Sequence, residues 1–483
     1  MKAVLAGLVG IALACAGCHA AGPSSAHASQ AQLTIVDASK EATGLYGERR
    51  RAAAVPELGS LGADVIRIVV YWVDVAPKPH SIRAPRRFQP RNSASYGGVW
   101  TPIDRTVRDA ARHGIKVMLV PTGRFPHGVI PHWARRHPGK DKNVPRPGAY
   151  RAFVQALGSR YSGRFDPDGR GPQHKLPAAR FISIWNEPNS AAFLEPHDRA
   201  PEVYRRLVEA ASRGLAAAHW HGTLLAGETS QGGTNQTPPV EFMRRTLCLP
   251  PGFNGPPSCP PLPVNGWSHH PYSLGMTPWQ VPADPDLVTS GSLSRLTGPL
   301  AKAEALGALP PSGLYITEYG YETVPDPLGI SFGEQAEFDS IGERIAYENP
   351  MVASFAQYLL RDDPPLNGTY HAFESGLRTH NSGVRPCLVH PVGCKPSWFA
   401  FRTPLAVRLA GNLAEVWGRV RPARRPTVVT INFTDSDGSS GALANVHTDS
   451  AGYFAFETAN VAGRRWSLTW DGRTAPSVKG YAY

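Results

Sequence analysis

Short apolar runs alternate along residues 31–410 with segments in which apolar residues recur at helical spacing. Eight of the runs predict strands, in the order "QLTIVDA", "DVIRIVVYWVDV", "IKVMLVPTG", "RFISIWNEPN", "TLLAGETS", "VNGWSHHPYS", "GLYITEYGYET" and "VASFAQYLLRDD". Helical patterns separate most of them, and a last helix is predicted over "PSWFAFRTPLAVRLAGN". Eight strand–helix units predict a closed (β/α)8 TIM barrel. A doubly wound open sheet is the alternative, but no Gly-rich phosphate-binding turn follows the first strand.

The pattern changes from about residue 413. Short runs such as "EVWGRVRP", "TVVTINFTD", "NVHTDSAGYFAFE" and "RRWSLTWDG" stand close together and are separated by Gly, Asp and Ser. They predict a small antiparallel β-sandwich that supports the barrel. The alternative is a carbohydrate-binding module in which Trp417, Trp466 and Trp470 stack on sugars, although tryptophans at alternating strand positions are more often core.

The first residues, "MKAVLAGLVGIALACAGCHAAGPSSAHA", have one lysine, an apolar run and then small residues. This pattern is typical of an export signal rather than of a membrane-spanning helix. "CAGC" resembles a degraded lipobox, so lipid attachment at Cys18 stands beside cleavage and release. We therefore divide the chain into a signal (1–29), a barrel (30–411) and an accessory domain (412–483), and expect a secreted or lipid-anchored extracellular protein.

Composition and charge narrow the function classes. Among 483 residues, 42% are hydrophobic and 18% are charged, as in a globular protein. The net charge of +12 comes from basic residues that look scattered, without the interleaved aromatic residues of single-strand binders. We expect no nucleic acid partner and a monomer with a solvated basic surface. Attraction to an anionic polymer or a cell surface is the alternative.

Four cysteines remain beyond the signal, in two close pairs. Cys248 lies near Cys259, and Cys387 lies near Cys394. Local disulfides are the simplest of the three possible connectivities, and they agree with export. Metal binding is the alternative, although neither spacing is typical of a zinc site. We expect no cofactor and no metal.

Two glutamates stand where predicted strands end. Glu187 follows the fourth strand in "WNEPN", and Glu318 follows the seventh in "ITEYG". Strand ends of a (β/α)8 barrel meet at its active-site face. Two carboxyl groups there are the minimal apparatus for cleaving a glycosidic bond, one as acid and one as nucleophile or base. We therefore predict that Glu187 and Glu318 are catalytic.

Other polar and aromatic residues at strand ends complete the predicted site. We expect the substrate to be bound by Arg67, Trp72, Trp185, Asn186, His270, Tyr272, Gln357 and Tyr358. His269 is set aside because neighbouring strand residues face opposite sides, and a metal site with Glu318 is the weaker alternative for this pair. An arginine and a tyrosine beside one glutamate should lower its pKa, while an apolar pocket near Trp185 should raise that of the other. Glu322 is the alternative nucleophile, and Glu228 is expected in a loop salt bridge.

These motifs together resemble those of clan A glycoside hydrolases, of the family 5 or family 39 kind that includes cellulases and xylosidases. "WNEPN", "ITEYG", "HPY" and the arginine of "RIVVYW" carry the resemblance, which covers about residues 31–410. It implies a retaining mechanism with Glu187 as acid/base, Glu318 as nucleophile, Tyr272 beside that nucleophile and Asn186 on the sugar 2-hydroxyl.

Two departures from the family pattern leave the substrate open. The eighth strand lacks the usual tryptophan, for which Gln357 or Tyr358 is the replacement. The third strand end offers Thr122 or Arg124 where family 5 has a histidine. The expected function is hydrolysis of a β-linked polysaccharide or oligosaccharide. Transglycosylation by the same groups and a non-catalytic glycan-binding barrel are the alternatives.

Overall fold

The structure is a computed structural model that describes residues 32–137, 143–365, 373–423 and 425–482. Eight parallel strands close into a barrel, each paired with its sequence neighbour and the first with the last. The strands are β1 (Leu33–Asp37), β2 (Val65–Tyr71), β3 (Lys116–Thr122), β4 (Phe181–Ser183), β5 (Thr223–Thr229), β6 (Gly266–His269), β7 (Leu314–Ile316) and β8 (Val352–Gln357). The predicted TIM barrel is confirmed, with all eight strands in the expected order.

The helices are α1 (Ser39–Ala42), α2 (Glu48–Leu61), α3 (Trp72–Val75), α4 (Thr101–Arg112), α5 (Pro147–Arg160), α6 (Ala200–Ala217), α7 (Pro239–Thr246), α8 (Ser294–Ala305), α9 (Phe332–Glu348) and α10 (Pro396–Arg402). The prediction missed α7 and ran α10 too far. Pro404 explains the second error, because the residue before a proline is disfavoured in a helix.

The barrel has two apolar layers. Alternate strand residues fill its interior, with Val65, Met118 and Leu225 among them. The opposite faces of the strands pack against the helices in one large core. Since side chains alternate along a strand, Arg67 points to the same side of β2 as Val65 and enters the barrel above that interior layer.

The second strand ends earlier than the pattern predicts. The apolar run continues to Val75, but residues Trp72–Val75 form the short helix α3. This turn carries Trp72 into the core, where its ring stacks on Phe153 at 5.1 Å and meets Tyr150 edge-on.

The C-terminal domain is a β-sandwich with one parallel pair. Its strands are β9 (Leu405–Ala410), β10 (Leu413–Arg419), β11 (Val428–Thr434), β12 (Ser440–His447), β13 (Tyr453–Ala459), β14 (Arg465–Trp470), β15 (Arg473–Thr474) and β16 (Val478–Tyr481). They follow the order β12-β11-β14-β16-β9-β10-β13, with β15 on β14. All pairs are antiparallel except β16 with β9. The second sheet thus begins at β9, within the segment predicted as the last barrel helix.

This domain packs closely on α9 of the barrel. Arg421 is buried and forms two hydrogen bonds of 2.7 and 3.0 Å with the Glu343 carboxylate. Trp417 lies 5.4 Å from Tyr347 of α9 between ring centroids. Trp466 is 1% exposed in the sandwich core, and the guanidinium of Arg402 lies over Trp470. Trp417 and Trp466 are buried and Trp470 is half-buried under Arg402, so the three tryptophans favour the supporting role over sugar stacking.

Both predicted disulfides are present. Cys248 bonds to Cys259 and Cys387 bonds to Cys394. The predicted export signal and Cys18 lie outside the described residues. Within the described ranges, no helix has both the length and the apolar character needed to cross a bilayer.

Candidate active site

Arg67 lies at the centre of a buried polar cluster at the carboxyl ends of the strands. Its Nη1 donates to Asp37 at 2.7 Å and lies 2.7 Å from a Glu318 oxygen. Its Nη2 donates to the Asn186 carbonyl oxygen at 2.8 Å and to Glu228 at 2.7 Å. One guanidinium from β2 therefore holds groups from β1 and from the ends of β4, β5 and β7.

His270 forms the second centre. Its Nδ1 lies 3.1 Å from a Glu187 oxygen and 3.5 Å from a Glu318 oxygen. Its Nε2 lies 3.1 Å from Glu228. The imidazole is fully buried and faces carboxyl groups on both nitrogens, an arrangement in which both nitrogens donate only when the ring carries its second proton.

Glu187 and Glu318 face each other beside this imidazole. One oxygen of each carboxyl group and one nitrogen of His270 all lie within 4.8 Å of one another. The Glu318 side chain is 8% exposed and that of Glu187 is 17% exposed. Tyr272 donates a hydrogen bond of 2.8 Å to Glu318. Glu318 thus receives three donors, while Glu187 is the more open of the two.

Local backbone geometry aims these groups. Trp185, Glu187 and Glu228 have φ of 67°, 40° and 48°, in the left-handed region that residues other than glycine rarely adopt. Strained backbone of this kind clusters at functional sites, where the surrounding structure holds it in place. The Thr122 hydroxyl accepts a hydrogen bond from the backbone N–H of Asn186 at 3.1 Å. Thr122 therefore fixes the backbone where the family 5 histidine would stand.

The loop after β4 is tied to the loop after β5. The buried Asn189 amide donates to the Thr237 carbonyl at 3.1 Å and accepts from the Ser230 N–H at 2.9 Å. The Trp185 indole donates to the Phe193 carbonyl at 2.9 Å. Since these bonds flank Glu187 on both sides, its loop is anchored rather than loose.

Burial and charge set the protonation of the cluster. Burial acts to raise the pKa of Glu228, but Arg67 and His270 outweigh it and hold that pKa well below its ordinary value. Burial opposes a charged His270, yet the Glu318, Glu187 and Glu228 carboxylates raise its pKa to about 10. The cluster thus contains two cations, Arg67 and His270, under four carboxyl groups.

The pKa of Glu318 is raised, whereas the sequence predicted that it would be lowered. Burial raises its pKa, and the neighbouring Glu187 and Asp37 carboxylates act the same way, against His270 and Arg67. The prediction that an arginine and a tyrosine lower this pKa is therefore wrong, because the pocket is drier and more acidic than the motif suggests. Burial and the neighbouring carboxylates therefore favour a protonated Glu318, while His270 and Arg67 favour its ionised form.

A metal ion is the other ligand that these atoms suggest. Glu187, His270 and Glu318 present oxygen and nitrogen atoms at a spacing compatible with one ion. A metal needs a neutral imidazole with a free lone pair. His270 instead has a raised pKa and carboxyl partners on both nitrogens. At neutral pH these residues fit a charged hydrogen-bond network better than a metal site.

The structure brings most predicted binding residues together. Arg67, Asn186, His270 and Tyr272 belong to the cluster described above. Tyr358 reaches it as well, with its ring centroid 6.2 Å from that of Tyr272. Of the two residues expected to replace the missing tryptophan, Tyr358 is the one whose ring lies beside Tyr272.

Three predicted residues lie elsewhere. Trp72 and Trp185 are fully buried in the shell around the barrel. Gln357 donates to the Ser375 and Tyr358 carbonyl oxygens and supports a loop. The error for Trp72 comes from reading α3 as a strand. For Trp185, the left-handed backbone turns the ring away from the cleft.

The remaining alternatives are also placed. His269 contacts the Thr229 hydroxyl and the Val288 carbonyl, and burial lowers its pKa to about 3, so it is a neutral core histidine. Glu322 accepts from the Glu374 N–H, and burial raises its pKa to about 8. No ion pair joins Glu322 to Arg67 or His270 among the described residues.

Asp37, which the sequence did not single out, also belongs to the cluster, and so does Glu228, for which a loop salt bridge was favoured over a place in the pocket. Both follow apolar strand runs, in "TIVDA" and "LLAGETS", as the two catalytic candidates do. A position at a strand end therefore marked each residue as a candidate, but only the contact of both with Arg67 identifies them as part of the site.

Among the known proteins compared, only solved structures are similar to this chain. No protein-family model and no curated protein match the chain. A GH5_18 structure from Streptomyces cattleya, in complex with GlcNAc, is 14% identical, with 76% of this chain and 78% of that chain covered and a TM-score of 0.49. A glucosidase from Croceicoccus marinus is 12% identical, with coverage of 86% and 90% and a TM-score of 0.46.

A glycoside hydrolase family 30 subfamily 8 xylanase from Clostridium acetobutylicum is similar at 10% identity, with coverage of 91% and 94% and a TM-score of 0.44. All three structures are of glycoside hydrolases, the enzyme class that the motifs resemble. Similarity at this level assigns no activity, so the function is argued from the side chains of the site.

Proposed function

We propose that this chain is a retaining glycoside hydrolase that cleaves β-linked bonds of a polysaccharide or oligosaccharide. One observation carries the proposal, the approach of Glu187 and Glu318 oxygens to within 4.8 Å beside His270. Retaining enzymes have carboxyl groups about 5–5.5 Å apart, whereas inverting enzymes separate them by about 6.5–9.5 Å to admit a water. The close approach favours direct attack by a carboxylate.

In the first step Glu318 attacks the anomeric carbon while Glu187 protonates the leaving oxygen. Arg67, His270 and Tyr272 all point hydrogen-bond donors at Glu318. The positive charges of Arg67 and His270 act against the rise that burial causes in the pKa of Glu318, and all three donors stabilise its ionised, nucleophilic form. The bond between the anomeric carbon and the leaving oxygen breaks as the bond to the Glu318 oxygen forms, which leaves a glycosyl-enzyme.

In the second step Glu187 acts as base. It takes a proton from a water that attacks the anomeric carbon, and the bond to Glu318 breaks. Glu187 is suited to both steps because its side chain is the more exposed of the pair. Water and leaving group therefore meet the same carboxyl group from the open side of the cleft.

Arg67 orients the amide of Asn186 toward the substrate. It occupies the Asn186 carbonyl oxygen, and the Nδ2 of Asn186 forms no hydrogen bond with any residue in the described ranges. That amide is left to donate to a sugar hydroxyl, as the family resemblance implies for the 2-hydroxyl. Tyr358 supplies an aromatic wall beside Glu318, in place of the tryptophan usual in the family.

An exported protein fits the two disulfides, which persist in oxidising compartments. We infer secretion or attachment from outside by a lipid at Cys18, as the first residues of the chain predict. The intact mass of the mature protein distinguishes the two, since a lipidated N-terminal cysteine adds acyl chains that a released protein lacks.

A panel of activated aryl glycosides tests the function. Wild type should cleave at least one member, and Glu318→Gln should lower kcat/KM on it about 10³-fold or more, the scale for loss of a group that acts as a unit with its partners. Glu322→Gln is the matched control, because it removes a buried carboxyl near the same strand end, and it should retain activity within about tenfold.

The alternatives give different results on the same panel. A glycan-binding barrel would cleave no glycoside, and Glu318→Gln would leave its polysaccharide binding unchanged. A transglycosylase would release the aryl group but transfer the sugar to an added acceptor in preference to water. Either result would replace hydrolysis as the conclusion.

A further inference from the structure

Two loops beside the candidate active site contain most of the net charge of the chain. Residues 76–100 follow β2 and α3, and residues 123–146 follow β3. Together they contain 11 of the 50 Lys and Arg residues but one of the 38 acidic residues. The remaining 39 basic and 37 acidic residues nearly balance. The basic residues are therefore not scattered, and the charge is local to the active-site face.

The described parts of the two loops, residues 76–100, 123–137 and 143–146, pack into one ordered surface. The Trp133 indole donates to the Pro77 carbonyl at 3.2 Å, and the His132 N–H donates to the Pro79 carbonyl at 2.7 Å. The Phe88 ring meets that of Trp133 edge-on at 5.3 Å. Long ordered loops without regular secondary structure are usually functional, and these aromatic anchors hold their charged residues on fixed backbone.

The basic rim is the exposed set Lys78, Arg83, Arg86, Arg87, Arg91 and Arg136. Within the part of the chain that the structure describes, none of these six side chains forms an ion pair. Like charges placed together without counter-charges repel one another, so the arrangement is unfavourable unless a ligand neutralises it. The nearby His132 responds to this environment, because burial and then the charges of Arg135 and His80 lower its pKa.

The loop after β3, which carries Arg136 of the rim, is connected to the loop of Glu187. The loop after β3 bonds to the loop that follows Glu187, through the Gly128 N–H and the Ala192 carbonyl at 3.1 Å. The Phe125 and Phe193 rings meet there at 5.4 Å. The Arg124 guanidinium lies 5.7 Å from the ring of Tyr71 at the end of β2 and pairs with Asp74, so its charge is neutralised and it is not part of the rim. A chain bound in the cleft can therefore reach the rim.

We propose that the basic rim binds acidic groups on the sugar chain, so that the substrate is a polysaccharide whose residues carry carboxylate or sulfate groups. This inference rests on the proposed glycosidase function. Five of the six rim residues are arginine, and the guanidinium fork matches a carboxylate or sulfate with two parallel hydrogen bonds. A membrane is the less favoured partner, since a flat bilayer seated on the rim would cover the adjoining cleft.

Binding of matched polymers tests the rim without requiring cleavage. Glu318→Gln protein is titrated with three polyuronates of different sugar and linkage, each paired with its carboxyl-reduced neutral form. At low salt it should bind at least one polyuronate about tenfold or more tighter than the neutral partner, and the preference should shrink at higher salt. A sulfated derivative of each neutral polymer distinguishes sulfate from carboxylate recognition.

The decisive variant is R83Q/R86Q/R87Q/R91Q, which should lose about tenfold or more of the polyuronate affinity. R213Q/K302Q/R425Q/R473Q removes the same four charges from exposed sites on α6, on α8 and in the C-terminal domain, and it should bind within about twofold of its parent. In the otherwise wild-type chain, the rim variant should keep its kcat/KM on a neutral aryl glycoside, which is too small to reach the rim.

Three results would overturn the inference. They are equal binding of every neutral polymer and its carboxylated and sulfated forms, equal losses in the rim and control variants, and binding of phosphatidylglycerol vesicles as tight as that of any of the charged polymers. If no glycoside is cleaved but the rim binds polyuronates, the glycosidase proposal fails and the binding surface stands. If glycosides are cleaved without any acidic preference, the reverse holds.

Discussion

At the residue scale, the site is a balance of two cations against four carboxyl groups. Arg67 and His270 are both buried, and they contact Asp37, Glu228 and the catalytic pair. Four ionised carboxylates would leave the cluster with an excess of negative charge in a dry pocket. The raised pKa of Glu318 favours its uptake of a proton, which reduces that excess.

The acid limb of the pH profile reports this balance. Because the Glu187 charge helps to raise the pKa of Glu318, Glu187→Gln should move the acid limb of kcat/KM to lower pH. Activity falls at low pH because Glu318 takes up a proton. If the pKa of Glu318 is lower, the variant should stay active to a lower pH. A dinitrophenyl glycoside is the substrate for the measurement, since its leaving group needs no acid. An unmoved acid limb would mean that the two carboxyl groups are not coupled.

Glu228 is a positioning residue in this account. Its carboxylate holds His270 through Nε2 and Arg67 through Nη2, and it accepts from the Ser183 hydroxyl at 2.7 Å. Glu228→Gln should lower kcat/KM about tenfold to hundredfold, as for loss of a group that orients an active-site imidazole. It should also lower the pKa of His270, because one of the carboxylates that raise it is removed. The loss of activity at high pH should therefore begin at a lower pH than in the wild type.

Ser183→Ala is the control for that variant, because it removes one contact to Glu228 and leaves the carboxylate. It should keep the basic limb in place. If Glu228→Gln lowers activity with an unchanged pH profile, Glu228 acts only through packing and the charge account of His270 is wrong.

At the element scale, the number and order of the barrel strands were predictable, whereas the end of β2 and the turns that follow the strands were not. Period-two apolar runs and capped helices gave the barrel, and Glu187, Glu318 and His270 were identified from their places at strand ends. The backbone reversal at Trp185 and the short helix at Trp72 depend on packing with Tyr150 and Phe153. That packing involves residues far apart in sequence, so local pattern could not reveal it.

The disulfides stabilise two of the long loops. Cys387–Cys394 closes a short segment beside α2, where Arg378 and Trp398 both contact Glu57. C387A/C394A should lower the free energy of unfolding by about 2–3 kcal/mol, because the unfolded chain regains loop entropy. Guanidinium unfolding measures this loss. C248A/C259A should lose a similar amount, and an unchanged midpoint in both variants would contradict the entropic account.

At the scale of the whole molecule, the sandwich is a support for α9 rather than a separate binding module. Glu343 of α9 pairs with Arg421, and both side chains are 2% exposed. Glu343→Gln leaves the Arg421 charge buried without its partner, so it should lower the free energy of unfolding by about 3–5 kcal/mol. Thermal unfolding followed by tyrosine and tryptophan fluorescence measures the change.

A second interdomain pair provides the comparison. Glu337 lies 3.1 Å from Arg465, with side-chain exposures of 19% and 35%. Because this pair is better solvated, Glu337→Gln should cost about 1 kcal/mol or less. Equal losses in the two variants would mean that burial of the Arg421 pair does not govern the stability of the interface.

The charge distribution is also a property of the whole molecule. The barrel and sandwich surfaces nearly balance, while the two loops beside β2 and β3 leave the active-site face positive. The catalytic cluster is negative and buried, and the surrounding rim is positive and exposed. A substrate with acidic groups along its chain would be attracted by the rim while its neutral glycosidic bond enters the cleft.

The stereochemistry of the first product tests the central claim most directly. The wild-type enzyme is mixed with a β-configured aryl glycoside that it cleaves, and proton NMR follows the anomeric signals before mutarotation. Attack by Glu318 followed by water inverts the anomeric centre twice, so the β anomer of the released sugar should appear first. First appearance of the α anomer would show a single inversion by water and contradict the role of Glu318 as nucleophile.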